Sequence, residues 1–200
     1  MALLDGQTVE AVDTETTGFD PAHGHELVEV ARVSIVNRSI ADTWSSLIRP
    51  SRPIPHGASA VHGITDAMVA GAPGPAEIGR KLREACGERT LAFHNAPFDL
   101  PFLAALLRGA GQPPFTAPVI DTLGLARGLF GAGANSLGQL SRKLGLPEEV
   151  EHRAEADART TARLLIAFAE RWEREKGVRS LDELAAASQD VVRLTNKKSG

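Results

Sequence analysis

Three runs rich in Val, Ile and Thr, at residues 8–14, 27–36 and 40–48, follow one another between Gly, Pro and Asn signals. Runs of this length and composition are strands, and consecutive strands with short links pair as an antiparallel meander. Beyond them the spacing changes. Ile78, Leu82 and Ala85 form one stripe of a helix over 75–86, and "RTLAFHN" supplies a fourth strand. Phe98, Phe102, Ala105 and Leu106 then recur at helical spacing from Asn95 to Gly109, with Pro97 and Pro101 tolerable only near the helix start. A short fifth strand, "APVID", precedes a helix from about Thr122, and "NSLGQLSRKLGL" gives another with Asn135 or Ser136 as its cap. The last long helix runs from Ala154 to Lys176. A meander followed by alternating helices and strands predicts an α/β fold, a mixed sheet with helices on its faces. The proline-containing stretch "RPSRPIPHGASAVHGIT" reads as a loop.

Two hundred residues, 42% of them hydrophobic, suit one domain. We place it at 1–176. Gly177 stops the long helix, and Ser180 with Glu183 marks a short terminal helix in 177–200, ending in a frayed "LTNKKSG". Charges interrupt every apolar stretch well before membrane-spanning length, and "MALLDGQTVE" lacks the pattern of a signal peptide, so no membrane association or export by that route is expected. The single cysteine, Cys86, excludes an internal disulfide and fits a reducing, cytoplasmic setting. Within "LREACGER" it reads as a buried or half-buried helix residue, not a nucleophile.

The stretch "AVDTETTG" sets Asp13 and Glu15 side by side, because strand side chains alternate faces. An Asp-x-Glu pair is expected by chance in a chain with 25 acidic residues, and alone it reads more readily as two solvated carboxylates. Context narrows it. The pair closes an apolar strand and runs into Gly18, which permits a tight turn. "HNAPFDLPFL" puts Asp99 at the start of a helix just after strand four, where a helix-dipole acid is the plain alternative. "HRAEADARTTARLL" puts Asp157 in the first turn of the last helix and His152 five positions earlier, and an acidic first turn with an exposed histidine is again the alternative. If these sites converge, four carboxylates cannot stay ionised together without cations. Oxygen ligands suit Mg²⁺ or Mn²⁺, and two such ions can activate water against a phosphate ester. Loading two ions would also reverse the sign of the formal charge of -3, so net charge does not exclude a nucleic-acid partner.

Asp13, Glu15, Asp99, His152 and Asp157 resemble the DEDDh set of 3'-5' exonucleases, the family that contains the proofreading epsilon subunit of bacterial DNA polymerase III. "VDTETTG", "HNAPFD" and "HRAEADA" occur in the family's order, with "VHGIT", "DTLGLAR" and "NSLGQLSRKLGL" between them. The resemblance implies a ribonuclease H-like fold with a five-stranded mixed sheet, whose central strand carries Asp13 and Glu15. It implies two Mg²⁺ or Mn²⁺ ions, one on Asp13, Glu15 and Asp157 and the other on Asp13 and Asp99, with His152 as general base. Thr16 and Thr17 resemble residues that contact the 3'-terminal nucleotide, and His62 one near the scissile phosphate. The sister subclass needs a tyrosine where this chain has Arg153, and the chain contains no Tyr. Glu148, Glu149 and Glu151 precede His152 and would raise its pKa if they lay close to it.

The implied partner is a nucleic acid with a free 3' end, single-stranded DNA first. "ETTG" differs from the "EMTG" usual in oligoribonucleases and favours DNA over RNA 3'-end trimming. A DNA polymerase is an open partner, although no apolar, glutamine-led clamp-binding peptide is recognisable. An inactive nucleic-acid-binding module is the remaining alternative, and the intact acid set argues against it.

Overall fold

The computed structural model describes residues 2–133, 135–147, 149 and 152–196, with side chains up to residue 189. The described residues form a five-stranded sheet in the order β3-β2-β1-β4-β5. Its strands are β1 (Thr8–Thr16), β2 (Leu27–Val36), β3 (Ser39–Leu47), β4 (Thr90–Phe93) and β5 (Val119–Asp121). β1 pairs antiparallel with β2 and parallel with β4, and the meander and parallel half meet on it. β1 runs two residues further than its apolar pattern, so Glu15 lies within the ladder, opposite Glu29 of β2.

Alternation along β1 assigns its two faces. Val9 and Ala11 lie in the core beneath α7 (Ala154–Lys176), together with Ala31 and Val33 of β2. Val12 belongs to the opposite core, under α3 (Pro75–Cys86) and α4 (Ala96–Gly109), with Leu82, Phe102 and Leu103. The α7 stripe facing the sheet includes Ala154, Ala158 and Ala162, all fully buried. Small residues on both sides let the helix axis approach the strands closely, which brings its N-terminal turn to the end of β1.

The segment expected to be a loop after β3 instead holds two short helices, α1 (His56–His62) and α2 (Asp66–Val69). Pro55 ends the proline-rich approach at the N-cap of α1, and residues 56–72 are free of proline. Ile64 and Val69 bury against Val28 and Ile54 in a small separate core. That burial supplies what the local sequence lacks, since isolated helices this short are marginal in water.

Helices α5 (Thr122–Phe130) and α6 (Leu137–Lys143) follow β5; Ser136, not Asn135, caps α6 in a full capping box. Gly177 ends α7 in a left-handed conformation, and α8 (Leu181–Asn196) then packs on α5 and β5. Leu184 and Ser188 are fully buried, so this helix shares the α7-side core. Its close approach depends on Gly124, where an added Cβ would stand 1.9 Å from the Ser188 carbonyl oxygen. Cys86 is buried, and burial pushes its thiol up to about 12, which leaves it inert. Among the described residues no helix is long and apolar enough to cross a membrane.

Candidate active site

The C-terminal end of β1 gathers acids from three elements. Asp13 and Glu15 project from the α7 side, and both are half-buried. Asp157 stands in the first turn of α7, where its Oδ2 accepts the His152 backbone N–H at 3.0 Å. Ligand atoms of Glu15, His152 and Asp157 all lie within 4.8 Å of one another. Asp99 arrives from the other side of the sheet in the first turn of α4, buried, its Oδ1 accepting the Thr14 hydroxyl at 2.7 Å.

Asp99 is placed by a sharp turn. Asn95 precedes α4 in the left-handed region (φ 75°), which asparagine tolerates better than most residues. The buried Asp121 carboxylate fixes that turn, accepting the N–H groups of Asn95 (3.0 Å), Ala96 (3.1 Å) and Leu123 (2.9 Å). His152 is likewise left-handed, at φ 61°. Two strained turns therefore flank the acids, a pattern associated with functional sites.

Asp13, Glu15 and Asp99 are all pushed toward their protonated forms. Burial raises Asp13 well above the carboxylate range, and Asp99, Asp157, Glu15 and Glu29 push it further. Glu15 is pushed up to about 8 by burial and then by Asp157, Glu29 and Asp99, with Arg153 opposing. Asp99 rises to about 7, chiefly through burial, against the hydrogen bond from Thr14. Mutual repulsion among oxygen donors around one histidine is the chemistry of a divalent-cation site, and the donor set fits Mg²⁺ or Mn²⁺.

A cavity of about 510 Å³ opens beside Glu15, lined by Thr16, Thr17, Phe19, Pro55, Val61, His62 and Phe98 among others. Phe19 is 89% exposed at its rim. Thr17 closes the turn after β1, its Oγ1 accepting the Glu26 N–H at 2.9 Å and its own N–H reaching the Glu26 carbonyl at 2.8 Å. A Cβ at Gly18 would stand 2.4 Å from the His25 ring, so any larger residue there would displace that side chain. His62 is 5% exposed and its Nδ1 accepts the Ile64 N–H at 3.0 Å, which leaves the proton on Nε2. That Nε2 is buried, and the Thr16 carbonyl near it does not complete a well-aligned hydrogen bond. Burial lowers the His62 pKa despite the nearby Thr16 carbonyl and keeps the ring neutral.

The structure thus brings Asp13, Glu15, Asp99, His152 and Asp157 to one strand end, with Thr16, Thr17 and His62 around the adjoining cavity. His94 lies apart, its ring spanning Thr122 Oγ1 and the Asn135 carbonyl as a structural link between β4 and the α6 approach. Glu149 pairs with Arg163 at 2.6 Å, while Glu148 and Glu151 lie outside the described residues. Sequence reasoning missed Thr14, Glu29, Asp121 and Arg153. Asp121 had a signal, as an acid directly before a helix.

Comparison with known proteins bears on the family and the fold. The family model described as Exonuclease matches residues 11–165. A DNA polymerase III subunit epsilon-like protein of Rhodobacter capsulatus is 46% identical over 166 residues, covering 80% of this chain and 23% of that protein. The chain therefore spans under a quarter of that relative's length. Among solved structures, Exonuclease X in complex with 5' overhanging duplex DNA is 29% identical, with a TM-score of 0.71 over 90% of this chain and 99% of that one. A 3'-exonuclease recognising a histone mRNA stem-loop shares the fold at a TM-score of 0.72 and 18% identity, covering 86% of this chain and 67% of that one. The sheet order, the strand-end acids and these matches together show a ribonuclease H-like nuclease domain, and the chain belongs to the exonuclease family.

Proposed function

We propose that this chain hydrolyses phosphodiester bonds one nucleotide at a time from the free 3' end of DNA, releasing nucleoside 5'-monophosphates. The observation that carries the reading is the meeting of four carboxylates and His152 at one strand end, beside a cavity large enough for a terminal nucleoside. Asp13, Glu15 and Asp157 would hold one Mg²⁺ or Mn²⁺, and Asp13 and Asp99 a second. When bound, the two ions keep the acids ionised and supply the positive charge that activates water and stabilises the departing oxygen.

The chain's own groups do the rest. His152 takes the proton of the attacking water at its imidazole, a role its exposed ring beside Glu15 and Asp157 allows. The Thr16–Thr17 turn meets the terminal nucleotide and thereby selects an end over an internal site. Phe19 and Phe98 offer faces on which a nucleobase can stack, a sequence-tolerant contact. His62 donates its Nε2–H to a phosphate oxygen, which satisfies the buried donor.

The 46% relative and the Exonuclease X complex support DNA as substrate, in proofreading for a polymerase or as a free-standing repair enzyme. RNA 3'-end trimming is the second reading, favoured by the fold shared with the histone mRNA nuclease. Incubation with 5'-labelled single-stranded DNA and RNA of one sequence, with Mg²⁺, Mn²⁺ or EDTA and an Asp13→Ala control, tests it. We expect metal-dependent ladders shortening from the 3' end, faster on DNA. Faster RNA cleavage selects the second reading, and no cleavage of either polymer overturns both.

A further inference from the structure

Glu29 and Arg153 belong to neither the acid set nor the nucleotide cavity, yet they join β2, opposite Glu15, to the residue directly after His152. Glu29 is 4% exposed on β2, opposite Glu15 in the ladder. An unpaired carboxylate buried there would add a fifth negative charge beside the other four. Three donors meet it. Arg153 reaches it through Nε at 3.1 Å and Nη2 at 2.7 Å, and the Ala154 backbone N–H through 3.0 Å. The fork is bidentate, the geometry in which a guanidinium fixes a direction as well as a charge.

These bonds act on the residue before them. Arg153 is the N-cap of α7 and makes no capping bond of its own, so Glu29 from the neighbouring strand caps the helix in its place. His152 sits immediately upstream in a left-handed conformation uncommon for a non-glycine residue, its N–H on Asp157. Residues 152, 153 and 154 are thus each tied to a carboxylate at the site or directly beneath it. Arg153 is also the counter-charge that opposes the rise of Glu15.

We propose that Arg153 and Glu29 are positioning residues for the nuclease reaction, a latch that holds the His152 ring beside Glu15 and Asp157 and cancels the Glu29 charge under the metal ligands. The proposal rests on the exonuclease reading above. It assigns Arg153 a task that a helix cap alone does not have, because the latch sets where the base stands and a cap only stabilises the helix.

The test compares Arg153→Ala, Arg153→Lys, Glu29→Gln and the double variant Arg153→Ala/Glu29→Gln in the full chain, by steady-state cleavage of single-stranded DNA with Mn²⁺ and by the histidine ring proton signals in NMR. His152→Asn identifies the His152 signal. Arg153→Ala is expected to lower kcat by about 30-fold with KM changed by less than about threefold, since groups that misplace a base weaken the transition state more than binding. Arg153→Lys should recover part of the loss, and the double variant should lose less than the product of the singles. The His152 signal should shift in Arg153→Ala. Unchanged kcat with an unchanged His152 signal overturns the proposal, as does a loss confined to KM. Should Arg153→Ala fail to fold, Arg153→Lys and Glu29→Gln carry the same comparison. A wild-type chain that cleaves neither DNA nor RNA overturns the exonuclease reading instead, and the NMR arm still decides whether the latch sets the ring.

Discussion

Thr14 and Asp99 lie 85 positions apart and meet through a buried hydrogen bond of 2.7 Å, hydroxyl to carboxylate. The bond ties the central strand to the first turn of α4 and is the main force opposing the burial that lifts Asp99. Thr14→Val keeps the side-chain shape and removes the donor. A hydrogen bond to a charged group contributes about 1.5–3 kcal/mol, so ionised Asp99 should become harder to form by roughly tenfold or more. Activity should then need correspondingly more metal, while Thr14→Ser should stay near the wild type. Titration of cleavage rate against Mn²⁺ reads this directly, and coincident curves for Thr14→Val and wild type would refute it.

The raised carboxylates make stability and metal binding depend on pH with a definite sign. Glu15 titrates at about 8 in the fold against 4.5 ordinarily, and Asp99 at about 7 against 3.8. Between each pair of values the folded state holds a proton that the unfolded state has lost. Metal-free stability is therefore intact below the ordinary values and falls as pH rises toward 7 and 8. A divalent cation replaces those protons and reverses the loss. Calorimetric melting should show a larger rise in Tm on adding Mg²⁺ at about pH 8 than at about pH 5, with protons released to the buffer on binding. An equal rise at both would mean that the acids are not raised in the metal-free protein.

How legible the molecule was from its sequence follows from which forces are local. The strands of the meander, α7 and its stop at Gly177 could be read because apolar period and end signals lie within each element. Asp13 and Glu15 could be read as neighbours for the same reason. The two helices after β3 could not, because Ile64 and Val69 earn their conformation by burying against Val28 and Ile54 from elsewhere in the chain. Glu29 was invisible for a related reason: within "LVEVARV" it resembles any strand acid, and only the fold places it opposite Glu15 and under Arg153. The left-handed turns at Asn95 and His152 carry no glycine to announce them.

Packing of α8 on α5 leads to a prediction about distance. A Cβ at Gly124 would stand 1.9 Å from the Ser188 carbonyl oxygen, a backbone atom that cannot swing aside. Ser188 in turn presents its Oγ to the Asp121 N–H at 3.0 Å, and Asp121 holds the turn before Asp99. Gly124→Val should therefore displace α8. Overpacking costs about 1–3 kcal/mol, so Tm should fall by roughly 2–12 °C. Hydrogen exchange should rise first over 181–189, and cleavage by the remaining folded protein should drop severalfold through the loosened Asp121 turn. Full protection of 181–189 in the variant would show that α5 can shift to absorb the added side chain.

His152 offers the sharpest separation of chemistry from structure, provided the substitution respects its backbone. Its side chain is exposed and contributes nothing to the core, and the bond to Asp157 comes from its backbone N–H, which any residue but proline retains. Its φ of 61° is the obstacle, since alanine disfavours this region and asparagine accepts it. His152→Asn should accordingly keep Tm within about 1–2 °C of wild type and leave KM nearly unchanged, while kcat falls by about 10²–10⁴, the range typical of a lost general base. His152→Ala should lose at least as much activity and more stability, and the difference between the two measures the backbone's share. Wild-type kcat in His152→Asn would remove the imidazole from the reaction and leave the metal ligands to activate water unaided.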